Sequence, residues 1–390
     1  MTTLGDIFRR YGPAYRARFG GSVAASQTQA LQAIAQCRTE ALGGHVSTCA
    51  SCQITRYSYH SCRNCHCPTC QQEATQAWLA EQQALQLPLP SFLVTFTLPS
   101  ELRARARQQP ETIYPLLFRT SAAALQQLAQ DPRFLGGQIG MLGVLQTWTR
   151  DLRSHPHVHY LVPALALAPD GTRGRVGKSD FLLHVKPLAQ LFRATFRAAV
   201  RQTPWAGQVH ARAWAKPWVV DCRPVGSGAS ALQYLAPYIF RIALSNNRIE
   251  RVANDTVTFC STAGKTGAQK RATLPLDTFI GRLLAHVLPK GFVKVRSYGL
   301  LAVGKRRLLA ELRRILALRQ AVAPPAPAAP APAALVAMPE RAVGRCPSCG
   351  QPMQLIQTLL PKRQPERLVA MVGEPSSRSP PHPAGARFHL

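Results

Sequence analysis

Seven of the eleven cysteines in this 390-residue chain lie in one stretch, from Cys37 to Cys70. A hydrophobic core does not need so many thiols so close together. The first residues lack a basic segment followed by an apolar one, so we expect no secretory signal. Without export, clustered cysteines indicate thiolate metal ligation rather than disulfides. The sequence therefore predicts a small zinc-binding head in a cytoplasmic protein.

Two CxxC pairs in this stretch have the spacing of zinc knuckles. Cys49 and Cys52 form one pair and Cys67 and Cys70 the other, and four thiolates complete a tetrahedral site. Such a closed site is structural, so we expect the head to fold only with zinc. The spacing does not decide whether a second site exists. Its candidate ligands are Cys37, His45, Cys62, Cys65 and His66.

The chain is strongly basic, with 47 Lys and Arg against 18 Asp and Glu and a net charge of +29. This charge argues against a typical small-metabolite enzyme and favours a polyanionic partner, most commonly nucleic acid. Arginines scattered by codon bias would give the same total. The one long uncharged run, 321–338, contains five prolines. It predicts an extended linker rather than a membrane span.

The chain divides by composition into a zinc-binding head (1–88), a mixed domain (89–320), an Ala/Pro linker (321–340) and a mostly disordered tail (341–390). Hydrophobic patterning in the mixed domain predicts strands at 92–97, 139–148, 157–167 and 218–222 and helices at 112–130, 188–202 and 229–244. Further strands are expected at 248–251, 256–260 and 292–303, and helices at 275–288 and 305–319. The order β-α-β-β-α-β predicts a ferredoxin-like antiparallel sheet with flanking helices, in the α+β class.

Three histidines alternate at the start of the third predicted strand and just before it. His155, His157 and His159 would point to one face, because side chains two residues apart on a strand share a face. Two imidazoles at this spacing can bind one divalent ion, such as Mn²⁺ or Zn²⁺. Such a motif also occurs by chance on surfaces and in zinc hydrolases. A nucleophile elsewhere in the chain would distinguish these cases.

Two tyrosines follow on the helix predicted at 229–244. Tyr234 and Tyr238 are four residues apart, so both hydroxyls would emerge on one helix face. Pro237 between them predicts a kink or a restart of the helix. Two tyrosines at this spacing are often simply aromatic packing. Together with the histidine strand, they are candidate nucleophiles.

The combination of these motifs resembles the two-tyrosine HUH rolling-circle transposases of bacterial insertion sequences. The resemblance runs in order from about residue 6 to 303. It rests on the paired histidines and tyrosines and on several further stretches: Asp6–Tyr15, Cys37–His45, Tyr59–Asn64, Cys67–Gln71, His155–His159, Ser245–Ile249 and His286–Phe292.

This resemblance implies a metal-dependent enzyme that cleaves single-stranded or hairpin DNA and transfers the strand. His157 and His159 would hold Mg²⁺ or Mn²⁺, and Tyr234 and Tyr238 would be the nucleophiles that form a 5′-phosphotyrosine. The family commonly has His-Thr-Trp before the histidine strand, where this chain has Gln146-Thr147-Trp148. Candidates for a third metal ligand are His155, Gln146 and Gln233.

The basic helix predicted at 305–319 is a candidate for phosphate contact; an ordinary surface helix would have the same pattern. Its candidate DNA-binding residues are Lys305, Arg306, Arg307, Arg313 and Arg314. A last pair, Cys346 and Cys349, has no second pair beside it in the sequence. We interpret it as half of a decayed zinc ribbon, or as a pair that recruits His382 or His389.

Two other functions fit parts of this pattern. A zinc-dependent DNA-binding protein without catalysis would use the histidines and tyrosines only for packing. A plasmid or phage replication initiator would use the same chemistry, but the transposase-like head argues against it.

Overall fold

A computed structural model describes residues 2–168, 174–239, 243–262, 268–322 and 344–362. The helices are α1 (Leu4–Phe19), α2 (Ala25–Gln36), α3 (Gln72–Leu85), α4 (Ser100–Gln108), α5 (Pro110–Gln130), α6 (Val185–Arg201), α7 (Arg212–Ala215), α8 (Ala229–Ile239), α9 (Leu276–Leu284) and α10 (Arg306–Val322). The strands are β1 (Gly44–Cys49), β2 (Thr55–Tyr59), β3 (Ser91–Thr97), β4 (Gln138–Trp148), β5 (Ser154–Pro163), β6 (Leu165–Leu167), β7 (Gly174–Val176), β8 (Val220–Pro224), β9 (Ile249–Ala253), β10 (Thr256–Thr262), β11 (Gln269–Pro275), β12 (Val295–Gly299) and β13 (Met353–Leu359). The chain is α+β with antiparallel sheets, as the sequence predicts.

The central sheet has the strand order β7-β6-β4-β5-β3-β8, and β12 pairs with β4. From β3 to β8, its main elements follow the chain order β3, α5, β4, β5, α6, β8, with α4, β6, β7 and α7 between them. This order agrees with the predicted β-α-β-β-α-β sequence. The strand predicted at 157–167 is two strands, β5 and β6. Pro163 ends β5 because it has no backbone N–H for the ladder. The helix predicted at 229–244 is observed to Ile239, and 240–242 lie outside the described residues.

One face of this sheet holds the main hydrophobic core. Phe96 and Tyr160 point from β3 and β5 towards α5 and α6, where the Phe96 ring lies 5.0 Å from that of Phe192. Gly143 on β4 permits this packing, because a Cβ there would lie 2.6 Å from the Tyr160 ring. The opposite face is covered by α8, with Trp78 of α3 also packed there.

The N-terminal helices pack on a second core. α1 begins with a capping box in which the Thr3 hydroxyl accepts from the Asp6 backbone N–H and the Asp6 carboxylate accepts from Thr3. Ile7, Phe8 and Ile34 of α1 and α2 are buried together with Phe279 of α9 and Phe259 of β10. The sequence analysis did not identify α1–α3. The hydrophobic residues of α1 and α2 pack against α9 and β10, more than 200 residues away, and Trp78 of α3 packs against α8, about 160 residues away. The local pattern does not reveal such partners.

The segment after the linker is not simply a disordered tail. Residues 353–359 form β13, which pairs antiparallel with β1 and gives the sheet order β13-β1-β2. The structure therefore corrects the prediction for this part of 341–390. Residues 323–343 and 363–390, including His382 and His389, lie outside the described residues. Among the described helices, none is long and apolar enough to cross a membrane.

Candidate active site and metal centres

The histidine strand is β5, which lies between β3 and β4 in the central sheet. His159 is paired in register with Thr95 on β3, and His157 is paired with Gln146 on β4. Directly opposed residues of an antiparallel pair share a face. The two imidazoles, the Thr95 hydroxyl and the Gln146 amide are therefore on one face of the sheet, and it is the face that α8 covers.

Hydrogen bonds fix the orientation of both imidazoles. His157 Nδ1 donates to the backbone carbonyl of His155 at 2.6 Å, so its Nε2 carries the lone pair. His159 Nδ1 lies 2.9 Å from the Thr95 hydroxyl, while its Nε2 is buried without a hydrogen-bond partner. This is how proteins commonly orient metal-binding histidines: one ring nitrogen is held, and the other is left for the ion.

Burial keeps both imidazoles neutral. Desolvation lowers the pKa of His159 to about 4 and lowers that of His157 well below its usual value. A neutral imidazole is the form that binds a metal ion. The two rings are 4.7 Å apart between centroids, so both can serve one site.

The three candidates for a third ligand lie in different surroundings. Gln146 is buried, and its Oε1 has no hydrogen-bond partner although its Nε2 donates to the Trp148 carbonyl at 3.4 Å. His155 is half-buried, with its ring 5.1 Å from that of His157. Gln233 is exposed on α8, next to Tyr234. The fit is best for Gln146, which offers an orphaned oxygen beside His157.

The tyrosine helix packs directly over this face. Leu235 and Ile239 of α8 are buried against Val144 of β4. This packing brings the ring of Tyr234 to 6.3 Å from the ring of His159, in an edge-on arrangement. The helix continues through Pro237 to Ile239 instead of restarting there.

The two tyrosines differ in their surroundings. Their rings are 5.1 Å apart. Tyr234 is 44% exposed, whereas Tyr238 is partly buried, with its ring 6.0 Å from that of Trp148. The structure thus brings together the two histidines and the two tyrosines, and it places one tyrosine nearer to the histidines.

Lys294, just before β12, is a residue near this site that the sequence analysis missed. Its ammonium group is buried and donates to the carbonyl of Ile239, at the end of α8, at 3.1 Å. Burial lowers the pKa of Lys294 to about 8. A cation at a helix C-terminus interacts favourably with the helix dipole, so Lys294 anchors the tyrosine helix. A lysine between apolar residues in Phe292–Val295 was the available sequence signal.

The cysteines form two groups, and neither is the predicted one. One group consists of Cys37, Cys62, Cys67 and Cys70, with sulfur atoms within 4.8 Å of one another. The other consists of Cys49, Cys52, Cys346 and Cys349. The prediction that Cys49 and Cys52 share a site with Cys67 and Cys70 is therefore wrong. His45, Cys65 and His66 belong to neither group.

The β-hairpin explains why the predicted grouping fails. Cys37 and Cys62 lie near the base of the β1–β2 hairpin, where the Arg38 N–H donates to the His60 carbonyl. Cys49 ends β1 at the tip. A six-residue strand spans roughly 17–20 Å, too far for both ends to share one ion. Spacing along the chain could not reveal this separation.

The three head residues outside the groups have other partners. The imidazole of His66 is buried and its Nε2 accepts from the Leu288 N–H at 3.3 Å, so this residue joins the head to the segment before β12. Cys65 is exposed, with its sulfur 3.4 Å from His66 Nδ1. The ring of His45 packs edge-on against His60, with centroids 4.9 Å apart.

The basic helix is α10, and its cations are in two different situations. Lys305 donates to the Gln138 side chain, Arg306 pairs with Glu81 at 3.1 Å, and Arg314 pairs with Glu311 at 2.8 Å. Arg307 and Arg313 are exposed. Leu309 and Leu316 of α10 are buried against the rest of the protein. These four arginines, in contrast, are exposed to solvent.

His286, a buried histidine at the start of the matched stretch His286–Phe292, gives a testable pH dependence. His286 Nε2 donates to the Leu152 carbonyl at 3.1 Å, and Nδ1 lies 3.1 Å from the Thr147 hydroxyl. Burial lowers its pKa from 6.5 to about 4. Below pH 6.5 the His286 imidazole therefore binds a proton in the unfolded chain but not in the folded one. The free energy of unfolding consequently decreases as the pH falls towards 4.

For His286 we expect this loss to be about 2 kcal/mol at pH 5. His286→Asn removes the titrating group, so its free energy of unfolding should fall less between pH 7 and pH 5 than that of the wild type. Urea unfolding at both pH values measures the difference. Equal falls in both proteins would contradict the assignment.

Comparisons with known proteins give the class of protein in which these paired histidines, tyrosines and cysteine groups occur, and that class is the transposases. Residues 140–308 match the family described as "Putative transposase", and residues 7–98 match the "Transposase zinc-binding domain" of the IS91 type. The chain belongs to this family of insertion-sequence transposases. No solved structure matches it.

Two relatives support this membership. The chain is 38% identical over 379 residues to "Putative transposase y4qJ" of Sinorhizobium fredii, covering 89% of this chain and 93% of that protein. It is 28% identical over 291 residues to "Transposase for insertion sequence element IS801" of Pseudomonas savastanoi pv. phaseolicola, covering 68% of each chain.

Proposed function

We propose that this chain is an HUH-type transposase that cleaves and transfers single-stranded DNA through a 5′-phosphotyrosine intermediate. It would act in rolling-circle transposition of an insertion sequence. The observation that carries this proposal is the placement of Tyr234 over His159, with 6.3 Å between the ring centroids. The strand order β8-β3-β5-β4 is also the order expected of a ferredoxin-like HUH domain built from β-α-β-β-α-β.

A divalent ion, Mg²⁺ or Mn²⁺, fits the donor set on the sheet face. We propose His157 and His159 as ligands through Nε2, and Gln146 through Oε1, because two of these three atoms are buried without partners. When bound, such an ion would polarise a phosphoryl oxygen and orient the scissile phosphate. An amide oxygen suits Mg²⁺ and Mn²⁺ better than a third imidazole does.

The tyrosines perform the covalent step. The hydroxyl oxygen of a tyrosine forms a bond to phosphorus and gives up its proton, while the bond to the 3′ oxygen breaks and that oxygen takes up a proton. The phosphodiester energy is kept in the phosphotyrosine, so a free 3′-OH can later attack it and rejoin strands without ATP. Two tyrosines allow two such bonds to exist in turn.

The test is formation of a covalent complex. The full-length protein, incubated with single-stranded oligonucleotides from the element ends and Mn²⁺ or Mg²⁺, should give a protein–DNA adduct that survives denaturation. EDTA should prevent it, and His159→Ala should reduce its rate at least about 100-fold. The control His210→Ala changes an exposed histidine and should have no effect. Tight DNA binding without any adduct would instead favour the non-catalytic DNA-binding protein.

Binding of the DNA backbone is proposed for the α10 surface. All five predicted cations, Lys305, Arg306, Arg307, Arg313 and Arg314, lie on or next to this helix. Arg313→Glu should weaken oligonucleotide binding several-fold and reduce the slope of log affinity against log salt by about 1. Arg201→Glu is the matched control, because α6 covers the opposite face of the sheet. Equal effects of both changes would contradict this placement.

The predicted division of the chain becomes part of the proposal. Residues 1–88 would be the DNA-recognition head, 89–320 the catalytic domain and 321–340 the linker. A replication initiator would use the same site chemistry. The match of residues 7–98 to a transposase zinc-binding domain favours the transposase.

A further inference from the structure

The cysteine pair at the far end of the chain meets a pair in the head. The sulfur atoms of Cys52 and Cys346 are 3.3 Å apart although the residues are 294 positions apart in sequence. Cys49 and Cys349 have sulfur atoms 3.4 Å apart, and those of Cys52 and Cys349 are 3.6 Å apart. Both family matches, 7–98 and 140–308, end before Cys346, so neither accounts for this group.

These distances fit a metal site rather than disulfides. A disulfide needs about 2.05 Å between sulfurs, and all four cysteines are free. Four thiolates around a tetrahedral zinc, at about 2.3 Å each, are about 3.8 Å apart. The four sulfurs here all lie within 4.8 Å of one another. Shifts of about 1 Å or less in the sulfur–sulfur distances would bring all four to this spacing around one ion.

The two pairs also have the same backbone geometry. In the first, the N–H groups of Ser51 and Cys52 donate to the Cys49 sulfur, and that of Ile54 donates to Cys52. In the second, Ser348 and Cys349 donate to Cys346, and Gln351 donates to Cys349. Such N–H groups stabilise the thiolate form, which is the one that binds a metal ion.

The turns that follow the two pairs match as well. Gln53 and Gly350 both have a left-handed backbone, with φ of 55° and 73°. The Gln53 N–H donates to the Cys49 carbonyl, and the Gly350 N–H donates to the Cys346 carbonyl, each at 2.9 Å. Both turns are therefore zinc knuckles of one shape, facing each other across the site.

Contacts around the site hold the C-terminal segment on the head. Met353 is buried beside Cys49 and Cys346, and Lys362 pairs with Glu40 at 2.7 Å. At Gly43, a Cβ would lie 2.4 Å from the Leu359 carbonyl oxygen. The head therefore has a glycine where β13 approaches most closely.

We propose that Cys49, Cys52, Cys346 and Cys349 bind a second structural zinc ion, which makes a zinc ribbon from the two ends of the chain. This ion fastens residues 344–362 to the head. The head is thus completed only when the C-terminal segment has been synthesised. The proposal is independent of the catalytic chemistry.

Zinc content of the full-length protein tests this proposal. All variants carry His157→Ala and His159→Ala, so that zinc cannot be counted at the candidate active site. We expect two zinc ions per chain, and one after Cys346→Ser with Cys349→Ser. The control Cys222→Ser with Cys260→Ser, which lies outside both groups, should keep two. One ion in the parent, or two in the Cys346/Cys349 variant, would overturn the proposal.

A second measurement separates metal loss from misfolding. Amide hydrogen exchange of 353–359, which pair with β1, should be slow in the parent and at least about 10-fold faster in the Cys346→Ser/Cys349→Ser variant. Cys349→His, at an exposed position, retains a zinc ligand and should keep both the second ion and the slow exchange. If Cys349→His behaves like the serine variant while both stay folded, thiolate packing alone holds the segment and the zinc proposal fails.

Discussion

Replacing Tyr234 and Tyr238 together by phenylalanine is expected to abolish the covalent protein–DNA adduct, with a loss of at least about 10⁴-fold. Phenylalanine keeps the ring contacts with His159 and Trp148 and removes only the two hydroxyl oxygens. The fold and DNA binding should therefore be unchanged. Denaturing gels of the labelled oligonucleotide measure the adduct, and Tyr57→Phe, in the head, is the matched control.

The single substitutions should differ. Because Tyr234 is the tyrosine beside His159, we expect Tyr234→Phe to lose the first cleavage. Tyr238→Phe should retain the first cleavage and lose transfer of the strand. An adduct that persists in the double variant would exclude these tyrosines as nucleophiles. Reversed behaviour of the single variants would assign the first cut to Tyr238.

Replacing Cys67 by serine is expected to unfold the N-terminal head. Cys67 is fully buried, and it lies in a hydrophobic cluster with residues of α1, α2, α9 and β10. A structural zinc site in a small domain contributes about 10 kcal/mol or more to folding, and one missing thiolate removes most of that. We expect a loss above about 5 kcal/mol, seen as lost zinc and a much lower unfolding temperature.

The control for this prediction is two residues away. Cys65→Ser changes an exposed cysteine outside both groups, so we expect an effect of about 1 kcal/mol or less. Because the cluster around Cys67 includes Phe279 of α9 and Phe259 of β10, unfolding should extend beyond residue 88. A Cys67→Ser protein with wild-type zinc content and unfolding temperature would show that this group is not a metal site.

The local pattern predicted much of the sheet. Phe92 to Thr97 is rich in aromatic and β-branched residues, which predicts a strand, and β3 alternates buried and half-buried side chains along it. The helix predicted at 112–130 is α5, which also includes Pro110 and Glu111. Such elements are predictable because the burial of a strand or helix repeats with its own period. The head helices were missed because glutamines interrupt the apolar faces of α2 and α3, and glycines and a proline occur within α1.

The sequence by itself identified the candidate residues for the chemistry: alternating histidines on a strand, tyrosines one helical turn apart and paired cysteines. Those depend only on local geometry. The tertiary structure decided which groups meet. It brought α8 over His159, placed the orphaned Gln146 oxygen beside His157, and divided the cysteines by the length of the β1–β2 hairpin. Above all, it brought Cys346 and Cys349 to Cys49 and Cys52, because β-strand pairing can join segments at any separation along a chain.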